Sequence, residues 1–225
     1  MSWLGRWRYR RLLQRRAHCT ALPGLERPLP DPALSVQDAP LLALDLETTG
    51  LDANEGSIVS MGWAAVDDGR MRLSSCRHYL IGGADGVGPS AVIHGIRDCD
   101  RRLGGSLEQA MQALLQAAAG RVLVVHHAPM DMAFLQAASQ QLWQQAWPVP
   151  VIDTLHWYRR RCQRRGHELK QGQLRLEAVR QAMGLPPRTG HDALADALSC
   201  GELLLALAAG SRARLVDVMR CWHSA

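Results

Sequence analysis

Leu41-Leu42-Ala43-Leu44-Asp45-Leu46-Glu47-Thr48-Thr49-Gly50 is the stretch on which the fold turns. Leu41 to Leu46 is a short apolar run bounded by turn residues, and it reads as a strand. Alternate side chains leave opposite faces of a strand, so Leu44 and Leu46 point into a core while Asp45 and Glu47 emerge together on the other side. Two like charges held side by side invite a cation. Mg²⁺ takes oxygen ligands, commonly one or two carboxylates with water and phosphate, so the pair supplies half a site. A solvated strand end is the plainer explanation of an isolated acid pair, and the rest of a site must come from elsewhere in the chain.

Downstream, Ile58 to Val66 and Arg70 to Ile81 read as two more strands, making a meander with the first. Upstream, 22–40 carries Pro23, Pro28, Pro30, Pro32 and Pro40 and reads as a linker, because each proline removes a backbone donor and restricts its neighbour. Residues 1–21 set Trp3, Leu4, Trp7, Leu12 and Leu13 among six arginines, and no acid precedes Glu26. The continuous apolar stretch of a secretory signal is missing. This segment fits a basic helix for a membrane surface, a transit peptide, a contact with nucleic acid, a polymerase or another protein, or a solvated tail. The expected organisation is a basic segment at 1–21, a linker at 22–40, the catalytic unit at 41–210 and a C-terminal segment at 211–225 with room for one short helix.

Further along, Gly82 to Gly88 is glycine-rich but does not spell GxGxxG, so it reads as a loop. Ser106 to Ala119 is a helix with Ser106 as its N-cap, Arg121 to His126 a buried strand, and Pro129 to Gln144 a helix with proline in its first turn. Asp153 to Arg165, Leu174 to Met183 and a long apolar stretch after His191 are also helical. Strands alternating with helices imply an α/β domain with some parallel pairing.

Two further segments carry acids at telling places. In His126-His127-Ala128-Pro129-Met130-Asp131 a strand runs into a helix, which puts Asp131 in the first turn, where the helix dipole favours a negative charge. In His191-Asp192-Ala193-Leu194-Ala195-Asp196, Asp192 is a natural N-cap, but Asp196 sits within an apolar helix. A buried carboxylate there is costly unless something pairs with it.

Taken in order, DLETTG, HHAPMD and HDALAD resemble the three motifs of the DEDDh exonuclease family, and are most similar to the proofreading-subunit-like exonucleases of bacterial DNA polymerase III. The resemblance runs from Leu41 to Leu207. It includes Ile93-His94-Gly95-Ile96, similar to the family's HGI segment, and Val151-Ile152-Asp153-Thr154-Leu155, similar to its IDTL segment. It implies a ribonuclease H-like fold, a mixed and mostly five-stranded sheet flanked by helices. It also implies a 3′–5′ exonuclease that releases nucleoside 5′-monophosphates from single-stranded DNA with two Mg²⁺ or Mn²⁺ ions about 4 Å apart. In that scheme Asp45 touches both ions, Glu47 and Asp196 complete the site of the nucleophilic water, and Asp131 helps hold the ion near the leaving oxygen. His191 takes the water's proton, a task suited to a group that titrates near neutrality. Thr48, Leu51, His94 and His127 match substrate-binding positions. The chain departs from the pattern at His127, where Asn is frequent, and at Met130, where Phe is common; neither change removes a metal ligand. An exoribonuclease trimming small RNAs and a non-catalytic nucleic-acid-binding module remain the alternatives.

The composition, 47% hydrophobic and 21% charged, is that of a globular protein, and no apolar run approaches the roughly 20 residues that span a bilayer. A net charge of +5 permits attraction to a polyanion. The six cysteines form no CxxC pair and so no zinc site; they read as free thiols of a reducing compartment, the cytoplasm. The run Arg159, Arg160, Arg161, Arg164 and Arg165 is either a phosphate-backbone contact or a solvated helix face. Gln171 to Leu176 has the loose QxxLxL pattern of sliding-clamp ligands, but its leucines are wanted by the next helix. His167-Glu168 lacks the second histidine of HExxH. Trp143, Trp147 and Trp157 read as packing residues.

Overall fold

Strand β1 (Leu41–Thr48) lies near the middle of the sheet because nearly all of its side chains are buried. The computed structural model describes residues 3–83, 96, 98–170, 172–188 and 192–222. His94 and His191, with most of the 82–88 loop and of the 93–96 segment, lie outside them. Helix α1 (Trp3–His18) precedes β1; β2 (Ile58–Asp67), β3 (Arg70–Leu80), α2 (Asp98–Arg101), α3 (Leu107–Ala117), β4 (Val122–Val125) and α4 (Ala128–Trp143) follow it. The chain continues through β5 (Val149–Asp153), α5 (Thr154–Arg164), α6 (Leu176–Ala182), α7 (Ala193–Ala208), α8 (Leu215–Val218) and β6 (Met219–Trp222).

The sheet order is β3-β2-β1-β4-β5-β6. The β1–β2, β2–β3 and β5–β6 pairs are antiparallel, while β1–β4 and β4–β5 are parallel. This is the mixed, helix-flanked sheet expected, with six strands among the described residues rather than five. The extra strand is β6, which lies in the stretch read as having room for a helix. It spans only four half-buried residues and carries no alternating pattern to announce it.

Alternation along β1 divides the core. Leu42, Leu44 and Leu46 pack with Met111, Leu114, Met132 and Leu135 of α3 and α4, while Leu41 and Ala43 face Cys200 and Leu204 of α7. Each fully buried leucine contributes about 1.5–3 kcal/mol, so the register of β1 is strongly set. Two glycines let α7 lie close on the second face. A Cβ on Gly62 of β2 would fall 2.2 Å from the backbone nitrogen of Leu194, and one on Gly201 would fall 2.6 Å from the Met71 sulfur.

The proline-rich segment lies against both layers, with Leu22 in the first core and Val36 and Ala39 in the second. Helix α1 is held to it by polar anchors: the Tyr9 hydroxyl donates to the Pro30 carbonyl, and Arg16 donates to the carbonyls of Leu25 and Arg27. Among the described residues no helix is long and apolar enough to cross a membrane.

Candidate active site

Asp45 and Glu47 occupy the last turn of the β1 pleat, on the face that α7 covers. Asp45 is in register with Gly62, and Glu47 with Ser60. The absent side chain at Gly62 lets the first turn of α7 reach the sheet beside Asp45. Asp192 starts that turn as predicted, its carboxylate accepting from the Ala195 backbone nitrogen at 2.9 Å. One turn in, Asp196 faces the strand, and one oxygen from each of Asp45, Glu47 and Asp196 lies within 4.8 Å of the others.

Asp131 is carried by a third element, in the first turn of α4. The chain enters this helix through His127, whose φ of 84° and ψ of 61° place it in the left-handed region. Asn, Asp and His tolerate that region better than other residues with side chains, so a histidine at a frequent Asn position keeps the same bend. The carboxylate of Asp153, at the end of β5, accepts from the backbone nitrogens of His127 and Ala128 at 3.2 Å each, and also from His156 as the N-cap of α5. It therefore fixes the turn that delivers Asp131. The His126 ring bonds Thr154 Oγ1 at 2.9 Å and the Leu174 carbonyl at 2.8 Å, tying the same turn to α5 and to the loop before α6.

Burial, and then the neighbouring carboxylates of Asp131, Asp196, Glu47 and Asp192, hold the Asp45 acid well above its ordinary range. Burial followed by Asp196 and Asp192 raises Glu47 to about 7. Asp131 is pushed up to about 8, chiefly by burial, with Asp153 and Glu47 adding to it against a backbone hydrogen bond that lowers it. Such a cluster either keeps protons or takes up positive charge from outside. Every donor is a hard carboxylate oxygen, the set that Mg²⁺ and Mn²⁺ prefer.

The structure thus brings together Asp45, Glu47 and Asp196, with Asp131 acting on them electrostatically. The expected nucleotide contacts are more dispersed. Thr48 is buried, and its hydroxyl donates to the Gly50 carbonyl at 2.7 Å, shaping the turn after β1. Leu51 is 85% exposed beyond that turn, and the His127 side chain is exposed. Asp153, Gly62 and His78 gained no role from the sequence. His78 of β3 lies 2.6 Å from Ser60 Oγ and 3.8 Å from the Asp192 carboxylate, at the rim of the acid cluster. An acid directly before a helix is a capping signal that points to Asp153; nothing local marks the other two.

A mixed sheet flanked by helices, with a nest of carboxylates where its central strand ends, is a ribonuclease H-like arrangement with a candidate metal site. Residues 42–204 match the RNase_T exonuclease family, and the chain belongs to it. The chain is 28% identical over 187 residues to a PolC-type DNA polymerase III of Thermotoga petrophila, which covers 83% of this chain but only 12% of that polymerase. Among solved structures, the nuclease domain of 3′hExo bound to rAMP aligns with a TM-score of 0.67 at 11% identity, over 84% of this chain and 98% of that one. Exonuclease X in complex with 5′ overhanging duplex DNA aligns with a TM-score of 0.62 at 21% identity, over 79% and 96%. Both share the fold.

Proposed function

We propose that the protein, working from the 3′ end of single-stranded DNA, hydrolyses phosphodiester bonds to release nucleoside 5′-monophosphates, with Mg²⁺ or Mn²⁺ at a two-ion site. The observation that carries this reading is the convergence of Asp45, Glu47 and Asp196 within 4.8 Å, with Asp131 acting on Asp45 electrostatically. Asp45, the acid on which the other carboxylates all act, would hold both ions. Glu47 and Asp196 would complete one site and Asp131 the other. When bound, the ions supply Lewis-acid stabilisation of the attacking and leaving oxygens. The chain's own contribution is to fix the four carboxylates on β1, α4 and α7, so that little reorganisation is needed when charge develops.

His191, one residue before the N-cap of α7, would accept the proton of the attacking water, and general-base assistance of this kind is worth roughly 10²- to 10⁴-fold. Leu51, His94 and His127, with the turn that Thr48 shapes, would contact the terminal nucleotide. DNA is favoured by the similarity to a PolC-type DNA polymerase III. RNA is the second reading, because the 3′hExo neighbour holds rAMP.

We assign this activity to 41–210, and to α1 the role of meeting a polymerase or other protein, since Trp7 is 43% exposed with the Arg11 guanidinium 4.7 Å over its ring. The free thiols fit a place in the cytoplasm, in repair or turnover of DNA. The test is digestion of 3′-labelled and 5′-labelled single-stranded DNA and matched RNA with Mg²⁺, with EDTA, and with Asp45→Ala. Metal-dependent release of mononucleotides from the 3′ end, lost in the variant, is expected. Full activity in Asp45→Ala would overturn the assignment, and faster loss of RNA would replace DNA as the substrate.

A further inference from the structure

Away from the carboxylates, α5, the end of α7, α8, β6 and α1 enclose an open groove of about 790 Å³. Six arginines line it, Arg8 from α1, Arg160, Arg161, Arg164 and Arg165 from α5, and Arg220 from β6. They come from three separate parts of the chain, so the groove is a product of folding and not simply of the arginine run in α5. Helix α1 is seated closely here: a Cβ on Gly5 would fall 2.8 Å from Val216 Cγ2 of α8.

Among the described residues, the groove's positive charge is not neutralised from within. The one described carboxylate lining it, Asp217, is taken by Arg214, which approaches it at 3.2 Å. Arg160 donates to the backbone carbonyl of Asp217, and Arg220 bonds the His156 ring at 2.8 Å. Among the described residues, none of the six arginines has a carboxylate within ion-pair distance. The crowding is felt at His156, whose proton affinity is lowered by burial and then by Arg220, Arg160 and Arg159, with Asp153 opposing.

We propose that this groove is a second phosphate-binding surface, which grips the backbone of the nucleic-acid strand behind its 3′ end. This rests on the nucleic-acid substrate proposed above. Guanidinium groups bind phosphate through paired N–H donors and stay charged at any working pH. Arg160 and Arg161 lie one helical turn from Arg164 and Arg165, about 6 Å along the axis, so the charge is spread along the groove. A row of this kind suits a chain of repeating phosphates better than a single small anion. The near end of the groove, at His156, is three residues from Asp153, which fixes the turn carrying Asp131. A strand held by its 3′ end at the carboxylates would have its next cationic support here.

The test uses the full chain in an Asp45→Ala background, so that the probe survives, with and without Arg161→Glu, Arg164→Glu and Arg165→Glu together. Binding of fluorescent dT20 and dT4 is measured from 50 to 300 mM salt. The triple variant should weaken dT20 binding at least tenfold at low salt and flatten its logarithmic salt dependence by about 2, given roughly 0.7 per phosphate contact on a single strand. Affinity for dT4, engaged by its 3′ end, should change less than twofold. Equal losses for both lengths, or an unchanged salt slope for dT20, would overturn the proposal. So would loss of binding to phosphatidylserine vesicles with dT20 binding intact, which would assign the groove to a membrane surface. If the triple variant melts early, Arg161→Gln with Arg165→Gln should show the same length-dependent loss in smaller degree. Because the readout is binding, failure of the exonuclease assay leaves this result separately readable.

Discussion

Helix α7 carries two clusters of charge six residues apart, about 9 Å along its axis. At its first turn Asp196 joins Asp45 and Glu47, and the groups that act on Asp45 among the described residues are all carboxylates. Further on, Glu202 meets the buried Arg180 at 2.8 Å and Arg188 at 2.7 Å, and Arg180 also reaches Glu177 at 3.6 Å and donates to the carbonyls of Ser199 and Pro186. In the second cluster the buried Arg180 is matched by carboxylates, whereas every group that raises Asp45 in the first is a like-charged acid. Burial of ions is tolerated where they are paired and hydrogen-bonded. The second cluster therefore belongs to the fold, while the first is an acidic group that could hold a metal ion.

Substitutions can break this contrast. Asp45→Ala should lower turnover about 10⁴-fold, since ion-mediated stabilisation amounts to several kcal/mol, and in EDTA it should raise the melting temperature by relieving repulsion. A lower melting temperature in EDTA would contradict the account. Arg180→Ala should do the reverse, leaving turnover of the folded fraction near wild type while costing about 3–5 kcal/mol in urea unfolding, because the Ser199 and Pro186 carbonyls lose their donor and Glu202 keeps only Arg188. Gly62→Ala should injure both clusters at once: the added methyl meets the α7 backbone, and overpacking of this kind costs roughly 1–3 kcal/mol. A loss of activity with no loss of stability would show that α7 can shift without resistance.

The two clusters should also differ with pH. Glu47 and Asp131 titrate at about 7 and about 8 in the metal-free fold, against about 4 in the unfolded chain. The folded state therefore binds more protons between about pH 4 and pH 8, and its stability falls as pH rises through that window. Melting in EDTA should be lower at pH 8.5 than at pH 5.5, and saturating Mg²⁺ should shrink the difference. A flat profile would mean that the acids are compensated by the protein itself. The smallest effect is expected at Arg188, 40% exposed at its side chain, where Arg188→Ala should cost no more than about 1 kcal/mol.

The first cluster was legible in the sequence because its parts are written locally. A DxE at a strand end, an acid in the first turn of a helix and an acid inside an apolar helix each break a pattern that is otherwise clear. The second cluster was not, since Arg180, Glu177 and Glu202 look like ordinary surface charges until α6 and α7 pack together. The strands show the same division: β1 to β4 announced themselves, whereas β5 is disguised by Pro148 and Pro150. Its ladder with β4 begins only at Val151, so Pro150 removes no donor from that pairing. Helix α1 reads as a basic tail because, among its described side chains, full burial is confined to Tyr9, Leu12 and Arg16, and the last of these is anchored by backbone carbonyls that no sequence pattern displays.

The close seating of α7 on Gly62 also bears on how the molecule breathes. The acids that repel one another enter from positions 45, 47, 131 and 196, so they can meet only late in folding, after distant segments have closed upon each other. The mid-portion of α7 is pinned by Arg180, while its first turn is pressed against like charge. Without metal, that turn is where the native state should open first, and its amides should exchange with deuterium well ahead of those around Ser199 and Glu202.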